Sequence, residues 1–379
     1  MADIKVENIT KTFKKDVALK DVSFEVKDKE FFILFGPAGA GKTTLLNIIA
    51  GIYLPDYGHV YLNKKCIDHV EPEDRNVAMV FEDYALYPHL TVYDNMASPL
   101  RSPRYKQPKE VIDREVKRIA KILRIDWLLE RNPSELSNGQ RQRVGLGRAL
   151  VRTPEVFLMD EPITHLDAKL RHQMRAELKD MQQNLDTTTI YVTHDYLEAL
   201  SLGDRIAVIN KGQIEQIGTP KEIYYTPANE FVASAFGEPE INIFDSKIIK
   251  ENGVSKITIF DHDLSISKKT KQLIDQYKLT DIRIGIRPKN VKYSFVKKDE
   301  NCILGVVYSF EPLGAKAILT MKIGNEFIRL LVSSDIGIEL NQEVFIQLDI
   351  ENGIFFDRNG ENIIVKQRDH AGRELVWEN

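Results

Sequence analysis

A glycine-rich segment, residues 36–43, reads Gly-Pro-Ala-Gly-Ala-Gly-Lys-Thr and matches the pattern G-x-x-x-x-G-K-[ST]. It follows the apolar run Phe31–Phe35, which predicts a buried strand, and it opens the helix predicted over Lys42–Ala50. Glycines allow backbone N–H groups to turn toward a polyphosphate, and a helix N-terminus adds partial positive charge there. The Lys42 ammonium would neutralise phosphate oxygens, and the Thr43 hydroxyl is placed for Mg²⁺. The segment predicts a nucleoside triphosphate site formed by Gly36, Pro37, Ala38, Gly39, Ala40, Gly41, Lys42, Thr43 and Thr44.

Two carboxylates, Asp160 and Glu161, end a second apolar run, Val156–Met159. Hydrophobic strands often end in acidic residues, so this pair is a weak signal by itself. Beside a phosphate loop, Asp160 would hold Mg²⁺ through water, and Glu161 would polarise the water that attacks the γ-phosphate. The two motifs together predict hydrolysis of a phosphoric anhydride.

A third segment, Leu136–Gln140, begins another predicted helix with a serine hydroxyl and free backbone N–H groups. As an isolated pentapeptide it would be an ordinary helix N-cap. Here it lies 20 residues before Asp160 and forms a second anion-binding terminus without a lysine of its own. Its candidate binding residues are Ser137, Asn138, Gly139 and Gln140.

These motifs, in this order, resemble those of the ATPase subunits of ATP-binding cassette (ABC) transporters. The resemblance implies that Leu136–Gln140 is the signature motif, which contacts the γ-phosphate of ATP bound to the opposite subunit of a head-to-tail dimer. It also implies that Phe13 stacks on adenine and that His194 is the switch histidine that touches the γ-phosphate. Thr164–Asp167 resembles the loop that crosses the dimer interface, which makes Asp167 a binding residue. Without the family, Phe13 would more often be a core residue and His194 an ordinary loop histidine.

Further segments are similar to the ATPases of carbohydrate importers of the maltose and sn-glycerol-3-phosphate type. They are Tyr84–Asn95, Leu166–Arg171, Gly218–Pro220, Pro227–Asn229 and Gly285–Pro288. The resemblance implies an ATP-hydrolysing, energy-coupling subunit of an importer for sugars or a related small polar solute, with ATP and Mg²⁺ as cofactors. ATP-driven closure of the dimer would move the permease through the Tyr84–His89 loop.

The chain departs from the family pattern at Glu82, where the family places Gln after the strand Val77–Phe81. A carboxylate can still ligate Mg²⁺, so Glu82 is predicted as a metal ligand together with Thr43 and Asp160. It also adds charge near Asp160 and removes an N–H donor, which bears on the rate of turnover. Two milder departures are Asn138, where the family has glycine, and Thr164, where serine is usual.

Composition limits the class of protein that contains these motifs. A chain of 379 residues, 43% of them hydrophobic, is long enough for two domains and excludes global disorder. The net charge of −4 argues against a general polyanion binder. Cys66 and Cys302 are 236 residues apart, which favours a reducing compartment over a disulfide scaffold.

The sequence also predicts a soluble, cytoplasmic protein, and the resemblance implies that it lies peripherally at the cytoplasmic face of the membrane. Its start, MADIKVENITK, has no apolar core of a secretory signal. The longest unbroken apolar runs have five residues, far fewer than the roughly 20 that span a bilayer.

The predicted fold class is α/β: an ABC-type ATP-binding domain over residues 1–236, with a helical subdomain at about 88–155, followed by an OB-like regulatory β-barrel over 237–379. Short, continuous apolar runs such as Thr189–Val192 indicate parallel strands that are buried on both faces. Apolar residues spaced along 108–124 and 170–185 predict amphipathic helices, whereas 240–366 reads almost wholly as short strands.

The implied partners are a second ATPase subunit (identical or related), two transmembrane permease subunits and, indirectly, an extracytoplasmic solute-binding protein, with no nucleic acid. An alternative is a hydrolysis-poor nucleotide-binding partner in an asymmetric dimer, for which Glu82 is the only support. A soluble ABC ATPase acting on DNA or ribosomes would need a long coiled-coil insertion or two cassettes. This chain has one phosphate loop and no sustained heptads.

Overall fold

The computed structural model describes residues 3–81, 86–152, 154–164, 168–185, 187–251, 254–277 and 279–363. The chain divides into two compact units, residues 1–220 and 221–379. In the parts of the chain that are described, no helix has the length and apolar character needed to cross a membrane.

The first unit is built from strands and helices that alternate along the chain. Its strands are β1 (Ile4–Phe13), β2 (Asp16–Val26), β3 (Phe31–Phe35), β4 (Tyr57–Leu62), β5 (Lys65–Cys66), β6 (Val77–Val80), β7 (Val156–Asp160), β8 (Thr188–Thr193), β9 (Arg205–Asn210) and β10 (Gln213–Gly218). Its helices are α1 (Lys42–Ala50), α2 (Val92–Arg101), α3 (Lys109–Ile122), α4 (Asn138–Leu150), α5 (Ala168–Leu185) and α6 (Tyr196–Leu202). Helix α7 (Pro220–Tyr225) begins at the last residue of this unit and belongs otherwise to the second unit.

A six-stranded sheet in the order β10-β9-β3-β8-β7-β6 forms the centre of this unit. All neighbours in it are parallel except β10 and β9. Every residue of β3, β7 and β8 is buried, which is why none of these strands alternates between apolar and charged residues. Parallel pairing also places the carboxyl ends of the three strands at one edge of the sheet.

An antiparallel sheet in the order β2-β1-β4-β5 packs on the same core. The rings of Phe24 on β2 and Phe32 on β3 stack with centroids 5.1 Å apart, which joins the two sheets. The described core cluster combines apolar residues of both sheets with Leu45, Leu46, Ile48 and Ile49 of α1. Burial of this helix face orients α1 against the central sheet.

Three helices occupy the region that the sequence assigned to a helical subdomain. Thr91 caps α2 by accepting a hydrogen bond from the Asp94 N–H at 3.1 Å, and Ser137 caps α4. In α3 the residues Ile112, Val116, Ile119 and Ala120 are buried, as the apolar spacing predicts. The limits of the subdomain, about 88–155, remain a prediction.

The second unit is mainly β-structure. Its strands are β11 (Asn242–Glu251), β12 (Val254–Ile259), β13 (His262–Ser265), β14 (Asp281–Ile286), β15 (Val291–Ser294), β16 (Cys302–Leu313), β17 (Lys316–Ile323), β18 (Glu326–Ser333), β19 (Glu343–Leu348) and β20 (Ile354–Phe356), with helices α8 (Glu230–Ala235) and α9 (Lys268–Tyr277). They form two five-stranded sheets, β13-β12-β11-β14-β20 and β15-β19-β16-β17-β18, around one core. The predicted fold class is thus confirmed, an α/β unit followed by a small β unit, although the sequence analysis of 240–366 missed α9.

Residues 226–236 pack within the second unit. Asn362 Nδ2 donates to the Pro227 carbonyl at 2.7 Å, and the Glu230 N–H donates to the Gly360 carbonyl at 2.8 Å. Ala233 lies in an apolar cluster with Ile241, Ile354 and Phe356. The domain boundary between residues 236 and 237 stays a prediction. The division into compact units falls between residues 220 and 221.

Two truncations test where the first unit ends. We expect residues 1–220 and 1–236 both to bind ATP, because the phosphate loop and Asp160 lie within the shorter piece. Residues 1–236 should aggregate more readily, since Val232 and Phe236, fully buried in the whole chain, lose their partners. Nucleotide titration and light scattering of the two pieces measure this, and a 1–220 piece that folds without binding ATP would contradict the assignment.

Candidate active site

The phosphate loop connects β3 to α1, as predicted. Gly41, the N-cap of α1, has φ +101°, and a Cβ on it would lie 2.6 Å from the Ala18 carbonyl oxygen of β2. Both the left-handed conformation and the close approach of β2 therefore require glycine at this position. Gly51 ends α1 with φ +86°, so the predicted helix Lys42–Ala50 is confirmed at both ends.

The register of the parallel strands brings three sequence segments to the loop. Phe35 of β3 is paired with Thr193 of β8, and Val192 of β8 is paired with Asp160 of β7. The residues that follow these pairs are Gly36, His194 and Glu161. Motifs up to 158 residues apart in the chain thereby meet at one edge of the sheet.

Lys42 is almost fully buried and folds back over the loop. Its Nζ donates to the carbonyl oxygens of Gly36 at 2.9 Å and Pro37 at 3.0 Å, and it lies 3.5 Å from Glu161 Oε1. The ammonium is thus surrounded by oxygen acceptors. Phosphate oxygens that enter the loop would take the place of these neutral carbonyls with a stronger, charge-assisted bond.

Thr43 and Asp160 provide hard oxygen ligands beside Lys42. Thr43 Oγ1 donates to Asp160 Oδ1 at 3.2 Å, and Asp160 is 6% exposed. A hydroxyl and a carboxylate at this separation suit Mg²⁺, which binds one or two protein oxygens and keeps waters and phosphate oxygens as its other ligands. The donor set therefore fits the predicted metal.

Glu161 lies at the centre of the site, with an unusual backbone. Its φ is +45°, a left-handed conformation that costs a non-glycine residue about 1–2 kcal/mol. Its N–H donates to the Val192 carbonyl at 3.1 Å, which holds the chain in this turn. The turn directs the carboxylate between Lys42 and His194, whose Nδ1 lies 2.8 Å from Glu161 Oε2.

A buried network behind His194 was missed by sequence reasoning. Glu198, 1% exposed, accepts hydrogen bonds on Oε2 from Thr193 Oγ1 at 2.6 Å and from Tyr191 Oη at 3.0 Å. Burial raises the pKa of the Glu198 carboxyl, and the two hydroxyl donors oppose that shift only in part. The one feature of the sequence that could have indicated this network was Glu198 itself, an acidic residue between Leu197 and Ala199 near the start of α6.

The other predicted residues that the structure describes lie outside this cluster. Phe13 is 40% exposed at the end of the β1–β2 hairpin, with its ring 5.4 Å from that of Tyr53, so it is not a core residue. Ser137 forms a capping box with Gln140 at the start of α4. Asn138 is exposed and Gly139 is buried. Glu82, Asp167, Tyr84 and Ala85 lie outside the described residues.

The network predicts a pH-dependent contribution to stability. Because the folded-state pKa of Glu198 is raised above its ordinary value of 4.5, its stabilising contribution is complete below that value and is lost as the pH rises through the folded-state pKa. Relative to Glu198→Gln, the free energy of unfolding of the parent should fall as the pH rises above about 4.5. Urea unfolding measures this. The control Glu130→Gln, at an exposed position, should follow the parent, and equal pH profiles for the parent and Glu198→Gln would contradict the prediction.

Comparison with known proteins identifies the family of the chain. The sequence profile of the ABC transporter family matches residues 19–164. The trehalose/maltose import ATP-binding protein MalK of Thermococcus litoralis is 42% identical over 376 residues, which cover 94% of this chain and 98% of that protein. The oligosaccharides import ATP-binding protein MsmX of Bacillus subtilis is 40% identical and covers 95% of this chain and 99% of that protein.

Solved structures show the same fold for the first unit. A dimeric ATP-binding cassette in a post-hydrolysis state, bound to ADP and Pi, is 31% identical and has a TM-score of 0.53. It covers 57% of this chain and 98% of that chain. By sequence, by fold and by the arrangement of Lys42, Asp160 and Glu161, the chain belongs to the ABC transporter family and is an ATP-binding, ATP-hydrolysing subunit that couples this energy to transport.

Proposed function

We propose that this chain drives an importer for sugars or a related small polar solute, as one of two ATPase subunits that close on two Mg·ATP. The main support is the cluster in which Glu161 contacts both Lys42 and His194, beside the Thr43–Asp160 pair. A cation, a carboxylate base and two hard oxygen ligands are groups that phosphoryl transfer uses, and His194 lies against the base.

Within one subunit, catalysis is chiefly positioning and electrostatic stabilisation. Lys42 would exchange the Gly36 and Pro37 carbonyls for phosphate oxygens. Thr43 and Asp160 would hold Mg²⁺, with Glu82 as a further ligand, and the ion would neutralise charge on the β- and γ-phosphates. Glu161 would polarise the attacking water, with its carboxylate oriented by His194 and by Thr164, whose Oγ1 lies 3.3 Å from Glu161 Oε2.

The second subunit would contribute the start of α4. The Ser137 side chain and the N–H groups of the first turn form a positively polarised terminus, and Ser137 itself bonds to Gln140 within the chain. Gln142 Nε2 donates to the Pro162 carbonyl, so α4 is tied to the residue that follows Glu161. Contact of α4 with a partner's nucleotide would therefore act on the catalytic turn. In the same proposed dimer, the Phe13 ring would stack on adenine. Asp167 would lie in the loop that crosses the interface between the two subunits.

The names of the relatives support the proposed solute class and the remaining proposed partners. Their names specify import of trehalose and maltose, of oligosaccharides and of sn-glycerol-3-phosphate. The last of these belongs to a protein of Bartonella quintana that is 51% identical over 253 residues, covering 66% of this chain and 72% of that protein. The chain would therefore bind two permease subunits at the cytoplasmic face of the membrane and serve a solute-binding protein indirectly. A hydrolysis-poor regulatory partner is not favoured, because Lys42, Asp160, Glu161 and His194 are all in place.

Two substitutions separate binding from hydrolysis. Glu161→Gln should lower kcat at least about 100-fold, because it removes the base, and should leave ATP affinity nearly unchanged. Lys42→Ala should instead weaken ATP binding, because phosphate charge is left without its cation, whereas Lys121→Ala at an exposed position should change neither quantity. Steady-state kinetics and nucleotide titration measure both effects. An equal loss of affinity and hydrolysis in Glu161→Gln would contradict its role.

The proposed closed dimer of two ATPase subunits is tested with the Glu161→Gln variant. Mg·ATP should convert Glu161→Gln from monomer to dimer, because the bound phosphates attract both the phosphate loop and the partner's α4 terminus. ADP, which lacks the γ-phosphate, is the control and should leave it monomeric. Light scattering after size exclusion measures the mass. A monomer at high protein and ATP concentrations would rule out the homodimer.

A further inference from the structure

A second group of side chains with metal-binding chemistry lies on the antiparallel sheet of the first unit. His59 of β4, Cys66 of β5 and Asp68 present Nδ1, Sγ and a carboxylate oxygen within 4.8 Å of one another. The nucleotide site described above uses none of these three residues. They offer one nitrogen, one sulfur and one oxygen donor, the mixed set that zinc and neighbouring transition metals bind.

The sheet holds the three residues in place through its backbone. Cys66 is paired with Tyr61 across β4 and β5, so its side chain shares a face with Tyr61 and, two residues earlier, with His59. The Ile67 N–H donates to the Val60 carbonyl at 2.9 Å, which continues this pairing toward Asp68. The geometry of the hairpin therefore brings the three side chains together.

Asp68 is the fixed member of the group. Its Oδ1 accepts from the Val60 N–H at 2.8 Å, which orients the carboxylate, and its backbone carbonyl accepts from Arg75 Nη2 at 3.2 Å. The other oxygen, Oδ2, then faces His59 Nδ1 at 2.7 Å and Cys66 Sγ at 3.3 Å. His59 and Cys66 are exposed, so an ion can reach the group from solvent.

These distances are close to those of a tetrahedral site. With bonds of about 2.0 Å to nitrogen and oxygen and about 2.3 Å to sulfur, the N···O separation is about 3.3 Å and the S···O separation about 3.5 Å. The observed separations of 2.7 and 3.3 Å differ from these by about 0.6 and 0.2 Å. A small rotation of the exposed His59 and Cys66 side chains, with Asp68 unmoved, supplies the difference.

We propose that His59, Cys66 and Asp68 bind one divalent transition-metal ion of the zinc class, with a solvent molecule as fourth ligand. Binding releases the Cys66 thiol proton to solvent, and the thiolate, the neutral imidazole and the carboxylate donate electron pairs to the ion. Mg²⁺ does not compete, because it prefers six oxygen ligands. The ion cross-links β5, the edge strand, to β4.

The experiment titrates the full chain with Co²⁺ in excess Mg²⁺ and then displaces the cobalt with Zn²⁺. One equivalent of cobalt should produce a thiolate-to-cobalt charge-transfer band, which zinc abolishes. Cys66→Ser should lose the band, and Cys302→Ala, which removes the other cysteine, should keep it. Cobalt bound at the nucleotide site gives no such band, because the residues of that site include no cysteine.

Two further variants test the other ligands. His59→Gln and Asp68→Asn should each weaken zinc binding at least about tenfold, and Asp68→Asn keeps an oxygen acceptor for the Val60 N–H. The matched control His69→Gln, at an exposed neighbouring histidine, should bind zinc like the parent. Circular dichroism of the metal-free variants shows that they are folded. A parent without the charge-transfer band, a band that survives in Cys66→Ser, or unchanged zinc affinity in both His59→Gln and Asp68→Asn would overturn the site.

Discussion

Parallel pairing of β3, β8 and β7 is the constraint on which the rest of the active site depends. The carboxyl ends of parallel strands lie at the same edge of a sheet, so the residues that follow them meet there regardless of their separation in the chain. Register makes the meeting specific, because Phe35 is paired with Thr193 and Val192 with Asp160. A shift by one residue would turn the Asp160 side chain to the opposite face of β7.

Glu161 is the proposed catalytic base at this edge of the sheet, although its backbone is strained. Its left-handed turn is held by the N–H bond to Val192 and by contacts of the carboxylate with Lys42, His194 and Thr164. Unfavourable backbone conformations of this kind persist where the surrounding structure determines them from several sides. The same contacts place the carboxylate between the Lys42 ammonium and the His194 imidazole, the two groups that we propose bind and sense the γ-phosphate.

The turn is also connected to more distant parts of the first unit. Tyr191, Thr193 and Glu198 fix the end of β8 behind His194, and Gln142 joins α4 to Pro162. A change at the start of α4, or in the β8–α6 connection, therefore acts on Glu161 through one or two hydrogen bonds. This linkage supports the proposed coupling of hydrolysis to the approach of a second subunit.

The sequence alone was sufficient for the local features. Glycine spacing, the apolar runs Phe31–Phe35 and Val156–Met159, and the helix stop at Gly51 are set by backbone sterics and burial within a few residues, so they can be read directly. Only the tertiary structure decided the rest: the fold-back of Lys42 onto Glu161, the left-handed Glu161, the buried Glu198, helix α9, and the meeting of His59, Cys66 and Asp68 on neighbouring strands. Each depends on which segments pack together. Strand register brings together residues that are far apart in the sequence, and no local sequence pattern predicts such contacts.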